Sequence, residues 1–471
     1  MDRGRPAAVR ARGSLEAEIP MSDRKRLAVG VTALALMTVS VISTPAAAAA
    51  PVTYYVDSVS GNDARQGTSE ATAWRTLSKA NAANLTAGSK LLLRRGGTWA
   101  EQLLITESGT QAAPIVVEAY GTGAKPVIKG TDEVACVLLS GDHLEVYDLQ
   151  VGVEGAGRCE WSGFSIEGDH NFLNRNYITG ASAGVFIDED ADYTSINNNE
   201  FVNNNVMSVN TDASEMGEEY SNDDSGAFAI LVHGDDSEIS WNDIRGSIAP
   251  SFDYVFDGAA VEIFKGSRNR VHHNISVDND TFTELGTLTS ANGQTQDPDG
   301  TADNVFEYNA IYGDRTRGGM VTRGPYKEEA GSPIEPNGPV LRTVFRNNSI
   351  YLTHEDAEGV VCDATCTNQH LTMTQNAIYA KKKSVYAPGV TGAANSYNVL
   401  EGDQYQAGDD GVGNFFEDPR FDPANPLRPL AGSKAIGLGR VAYGQVDLNG
   451  VAVGSGGGIE AGAYEYVAAQ R

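Results

Sequence analysis

Asparagine recurs in this chain at a spacing that few folds can use. Asn176, Asn199, Asn242, Asn274, Asn309, Asn348, Asn376 and Asn398 each precede a short β-branched or aromatic stretch, as in Asn348-Ser-Ile-Tyr and Asn376-Ala-Ile-Tyr. Successive intervals are 23, 43, 32, 35, 39, 28 and 22 residues. The shortest set a period near 22, and the longer ones exceed it by insertions. A second signal stands eight residues before three of these asparagines: Gly168-Asp-His-Asn171, Gly234-Asp-Asp-Ser237 and Gly266-Ser-Arg-Asn269. Short apolar strands precede them, at Phe164 to Ile166, Ala229 to Val232 and Val261 to Phe264. A period of that length with three short strands per repeat predicts a parallel β-helix, in which coils stack because none buries its inward face alone. The asparagines then fall one above another and bond as a ladder, at roughly 4.8 Å per step. Leucine-rich repeats share the length, but their Leu pattern is absent. Propeller blades of roughly 40 residues fit poorly.

Charge narrows the partners. The 471 residues carry 62 acidic and 35 basic side chains, a formal charge of -27. Non-specific nucleic-acid binding rests on Lys and Arg neutralising phosphates, so nucleic acid is excluded as a partner. An anionic membrane surface is excluded for the same reason. Near the start, Arg24-Lys25-Arg26 precede the apolar run Leu27 to Ile42, then Pro45 and Ala46 to Ala50. This reads as a secretory signal peptide cleaved near 46–51, with residues 1–20 an upstream extension. The run falls short of the roughly 20 residues of a spanning helix. The mature protein is therefore expected to be secreted, with no membrane attachment. In that compartment the four cysteines, Cys136, Cys159, Cys362 and Cys366, are expected to form disulfides, with the pairing open. Zinc is the other reading of the Cys-x3-Cys spacing, but no His-x-His partner stands nearby.

Both ends carry a resemblance. Tyr54-Tyr-Val-Asp-Ser-Val-Ser-Gly-Asn-Asp63, Trp74-Arg-Thr-Leu77 and Ala119-Tyr-Gly-Thr-Gly123 resemble the N-terminal cap of secreted right-handed β-helix proteins of the pectate-lyase-like superfamily. Asp418-Pro-Arg-Phe-Asp422 through Gly462-Ala-Tyr-Glu-Tyr466 resembles their closing segment. The resemblance implies an all-β, single-stranded right-handed parallel β-helix with an N-terminal cap. It divides the chain into 1–50, the extension and signal peptide; 51–130, cap and first coils; 131–400, the helix core; and 401–471, the closing segment. The superfamily holds polysaccharide lyases, glycoside hydrolases, epimerases and catalytically silent proteins, so fold does not give reaction.

Aligning coils by the Gly and Asn signals stacks ionisable residues. Glu167, His233, Lys265 and Arg323 each stand before the turn Gly, and Asp188 falls close to the same column. The longest insertions, 203–228, 245–259, 286–303 and 324–340, belong to the same coils and are placed to wall a groove. The densest segment runs from Asp257 through Glu262 and Lys265 to His272-His273, then Glu284, which is expected to open the strand equivalent to that of Glu262. Two chemistries compete there. Glu262 and Glu284 on adjacent rungs would stand about 5 Å apart, near the separation of a retaining glycosidase's acid and nucleophile. β-Elimination on a uronic acid instead needs a base and a neutraliser of the carboxylate. Lys265 serves as base, with Arg323 and His233 as clamps; Asp188 and Glu167 complete the substrate-binding set, and calcium on Asp257 and Glu262 is an optional neutraliser. Val261-Glu262-Ile with Lys265 and Asn274 resembles the alginate-lyase and chondroitinase-B type of β-helix lyase. The Arg that this type carries at the end of the next strand is missing; Gly286-Thr-Leu-Thr-Ser290 stands there, and Arg323 one coil on is its substitute. Trp161, Trp241 and Tyr254 are candidates for stacking on sugars.

The expectation is an extracellular enzyme acting on a polysaccharide or oligosaccharide, by elimination on a uronic-acid glycan with Lys265 as base. Hydrolysis by Glu262 and Glu284 is the alternative, and a non-catalytic carbohydrate-binding protein is the third.

Overall fold

The computed structural model describes residues 50–130, 134–212, 224–287, 300–325, 338–363, 365–422 and 425–467. The signal-like segment to residue 49 and the acidic residues Glu215, Glu218, Glu219 and Asp223 lie outside the described residues. No helix among the described residues is long and apolar enough to cross a membrane.

The backbone winds through three parallel sheets and gives one strand to each per coil. Sheet A has twelve strands, from Thr53–Val56 to Asn395–Ser396; sheet B has eleven, from Thr98–Trp99 to Val399–Glu401; sheet C has eleven, from Leu103–Ile105 to Gln404–Ala407. Neighbours in each sheet are one coil apart in sequence. The chain is a right-handed parallel β-helix, the hand that twisted strands favour in parallel crossovers.

The sequence pattern explains the coil. In sheet C, Val137, Phe164, Val185, Ile230, Val261, Thr283, Met320, Val360 and Val385 stand in register and are fully buried. Each large apolar member contributes about 1.5–3 kcal/mol by leaving water. At the bend from sheet A to sheet B the asparagines form the predicted ladder. Each Nδ2 donates to the next Oδ1 at 2.9–3.3 Å from Asn176 to Asn398, and Asn414 extends the column. The residue before each ladder asparagine takes a left-handed backbone, including Arg175, Trp241, His273 and Tyr308. That conformation costs a non-glycine residue about 1 kcal/mol or more. The amides offset it by satisfying backbone groups that the bend takes out of the sheets; Asn274 Oδ1, for example, accepts from Asn242 N at 3.0 Å.

A second ladder, not anticipated from sequence, runs along the bend from sheet C to sheet A. Asp142, Asp169, Asp192 and Asp235 each accept through Oδ1 from the backbone N–H one coil on, at 2.9, 2.9, 2.9 and 2.7 Å, the last from Ser267. The Gly-Asp pairs in the turn signals are its trace.

Both disulfides form. Cys136–Cys159 spans a separation of 23 residues, one coil, and Cys362–Cys366 closes a tight turn. The zinc reading of the second pair is thereby set aside. At the far end the segment after Asp422 runs back along the outside of sheet B. Gly444 N donates to Tyr308 Oη at 3.2 Å, Asn347 Nδ2 to Glu460 O at 3.1 Å, and Gly462 N to Gln375 O at 2.8 Å. Leu427, Leu448, Ala463 and Tyr464 pack with Ala310.

Candidate active site

Sheet C carries the candidate chemistry. The column next to its core residues reads Ser165, Phe186, Leu231, Glu262, Glu284, Val321, Val361 and Tyr386. Glu262 and Glu284 therefore stand directly opposite each other on Ala259–Phe264 and Thr281–Gly286. Glu284 lies within its strand rather than at its opening, because the strand already begins at Thr281. Both are buried, at 7% and 2% exposure. Phe186 and Leu231 on one side and Val321 and Val361 on the other are apolar, so the carboxylates interrupt a hydrophobic stretch of the column.

Arg323 reaches this pair from the next coil. Its guanidinium forms an ion pair with Glu284 and donates through Nη1 to Leu285 O at 2.5 Å. Gly286 makes room for it. A Cβ there would lie 2.8 Å from the Phe264 ring and 3.2 Å from Arg323 Nη1. The space at the glycine where the lyase resemblance wants an arginine is thus filled by Arg323 reaching back one coil. Asp363 stands one coil beyond and was not singled out from sequence. Burial pushes its carboxyl up; Arg323 opposes this, while Glu284 and Glu358 add to it.

The column before the turn glycines needs one correction. Register places Phe264, not Lys265, beside His233, because Ile263 pairs with Val232 and Phe264 with Gly286. Lys265 is an extra residue between strand and turn, with φ of 81°. Such a bulge re-aims the side chain. Lys265 Nζ crosses the coil of His233 to reach Glu189 Oε2 at 3.1 Å. His233 lies between, edge-on to Phe186 at a centroid distance of 5.0 Å. Burial, with the charge of Lys265, pushes the His233 imidazole down to about 3. That shift favours the neutral imidazole over the cation. Asp188 is pushed up by burial, with Glu189, Asp190 and Glu167 adding to it against a hydrogen bond from Asp190 N. Glu167 accepts from Ser140 Oγ at 2.6 Å. Sheet C thus brings together two groups: Glu262, Glu284, Arg323 and Asp363 on the later coils, and Glu167, Asp188, Glu189, His233 and Lys265 on the earlier ones.

Asp257 ends a hairpin made by Ala249–Ser251 and Val255–Asp257, and its Oδ1 accepts from Gly258 N at 2.8 Å. Among the described residues no group of three or more His, Cys, Asp or Glu is arranged to hold a metal ion. Trp161 packs against the cluster of Phe186, Phe228 and Leu231, and Trp241 stacks on His273 at 4.4 Å. Both are partly buried. His272 and His273 belong to the ladder bend.

No protein-family model matches the chain, and no curated protein matches its sequence. In structure it is similar to a GH136 lacto-N-biosidase from Eubacterium ramulus, with 15% identity over 78% of this chain and 67% of that one and a TM-score of 0.49. It is similar to the pectate lyase Pel9A, with 14% identity over 89% and 98% and a TM-score of 0.48. An alginate lyase from Paenibacillus sp. follows, with 13% identity over 73% and 96% and a TM-score of 0.37. These likenesses concern the fold alone.

Proposed function

We propose that this chain is a secreted glycan-cleaving enzyme that hydrolyses glycosidic bonds with Glu262 and Glu284. One observation carries the reading: two carboxylates face each other on adjacent rungs, with apolar Leu231 and Val321 on the rungs that flank them. Removing paired carboxylates from water costs several kcal/mol per ion before compensation, and the fold gains nothing from it that Leu or Val would not give. Rung spacing sets their backbones about 5 Å apart, which lets the carboxyl groups lie near the separation that suits retention.

Arg323 divides the roles. Glu284, its ion-pair partner, is the nucleophile and attacks the anomeric carbon. Glu262 donates its proton to the departing glycosidic oxygen. It then takes a proton from the water that releases the sugar from Glu284.

Elimination is the second reading, favoured by the strained backbone at Lys265. A non-glycine residue at φ of 81° just past the strand of Glu262 marks a position held for its side chain. Two features count against it. Arg323 is engaged by Glu284, and His233 is neutral, so neither is poised to clamp a uronate.

A panel of neutral and acidic polysaccharides decides, with reducing ends and the ultraviolet absorbance of unsaturated products read together. Reducing ends alone, lost in Glu262→Gln and Glu284→Gln and retained in Lys265→Ala, support hydrolysis. Both signals rising together, and lost in Lys265→Ala, transfer the assignment to elimination. Binding with neither signal leaves a carbohydrate-binding protein.

A further inference from the structure

We infer that the hairpin Ala249–Asp257 and the cleft at its base form a binding site for a neutral oligosaccharide, feeding the Glu262 and Glu284 pair. The identity of the ligand as a glycan rests on the function proposed above; the site itself rests on separate observations.

The hairpin tip exposes what a protein normally covers. Phe252 is 62% exposed, Val255 70% and Phe256 38%. The tip is held firmly all the same. The buried Asp224 carboxylate accepts from Ser251 Oγ at 2.6 Å and Asp253 N at 2.9 Å, and on its other oxygen from Thr211 N at 2.9 Å. Arg317 donates to Phe256 O at 2.6 Å and Tyr254 O at 3.2 Å, and is anchored by Asp280 at 2.6 Å. A backbone held this way needs little ordering on binding. The C–H faces of a pyranose are apolar and pack on aromatic rings, shedding water from both surfaces.

The cleft supplies the polar half of the site. It is an open cleft of about 420 Å³, lined by Glu154, Arg158, Asn205, Met207, Asn210 and Pro250 among others. Asn210 ties cleft to hairpin, accepting from Phe252 N and donating to Pro250 O, each at 3.1 Å. One acid, one base and two amides offer donors and acceptors to sugar hydroxyls without favouring an anion. The chain's charge of -27 points the same way. The hairpin passes through Gly258 straight into Ala259–Phe264, the strand of Glu262. The step from Ala259 to Glu262 is about 10 Å along a strand. A glycan seated on the hairpin therefore continues across sheet C to the carboxylates.

The test measures binding of neutral β-linked gluco-, xylo- and manno-hexasaccharides, and of hexagalacturonate, to the full-length Glu262→Gln protein, which keeps the Arg323–Glu284 pair, by titration calorimetry. At least one neutral hexasaccharide is expected to bind. Adding Phe252→Ala and Phe256→Ala should weaken it about five- to tenfold with an unchanged melting temperature. Arg158→Ala, on the cleft wall, should weaken it independently. Equal affinity with and without the phenylalanines overturns the inference and leaves the cleavage reading intact. Binding of hexagalacturonate alone, or of no hexasaccharide, also overturns it. A hairpin-dependent ligand that the wild-type protein leaves uncut supports the site and refutes the cleavage reading.

Discussion

Arg323 stands one coil beyond Glu284 and reaches back to pair with its carboxylate, beneath a surface that leaves Arg323 4% and Glu284 2% exposed. Removing one member strands the other's charge. Arg323→Leu is expected to cost about 3–5 kcal/mol, read as a fall in the urea midpoint. The double variant Arg323→Leu with Glu284→Leu should recover most of that loss, because neither member's charge is left without the other. Turnover should stay absent in both, and that split separates the chemical role of the pair from its structural one.

The asparagine ladder should be costly to interrupt. Asn274 is fully buried; it donates to Asn309 Oδ1, Ile239 O and His272 O, and accepts from Asn242. Asn274→Ala leaves several of these groups unsatisfied and should destabilise by about 3 kcal/mol. Asn198→Ala, at an exposed left-handed position beside the ladder, should lie well below that in the same denaturation series.

His233 predicts an acid limb. Its folded value of about 3 lies below the ordinary value of 6.5. Between these the unfolded chain binds the extra proton, so stability falls as pH drops from about 6.5 and levels off near 3. Melting temperatures of wild type and His233→Gln should converge at neutral pH. Below it, the variant should fall less steeply; parallel curves would refute the assignment.

Glu460 predicts the opposite slope. Burial, with the hydrogen bond and charge of Glu465, pushes its carboxyl up to about 9. The folded chain then holds the extra proton between the ordinary value of 4.5 and about 9, so its stabilising share is lost as pH rises through that range. Glu460→Gln keeps the hydrogen-bonding shape of the protonated form. It should raise the melting temperature at pH 8 and leave it unchanged at pH 4.

The coil was legible because a β-helix reuses the same bend, and an amide both donates to and accepts from the rungs beside it. Asn176 through Asn398 could be read directly from spacing. The acidic ladder was harder, since a Gly-Asp pair such as Gly168-Asp169 looks like an ordinary turn. On sheet C the glycine signals misled by one residue. Gly234 and Gly266 do stack, yet Lys265 enters as a bulge between them, and a bulge leaves no mark in spacing when both flanking signals are intact. The pairing of Glu262 with Glu284 survived because both strands are counted from their apolar residues. The hairpin at Phe252 was hidden inside an insertion, where no period constrains the reading; only Tyr254 and Asp257 drew notice there.

The C-terminal segment changes how such a stack comes apart. A solenoid held only by contacts between adjacent coils frays one coil at a time. Here one length of backbone lies against Tyr308, Asn347 and Gln375 on three successive coils. It works as a splint. Those coils must open together or not at all, while the coils around Asp142 are tied coil to coil, by their sheets and by the Cys136–Cys159 bridge. Hydrogen exchange should therefore divide the molecule into a graded front and an all-or-none rear.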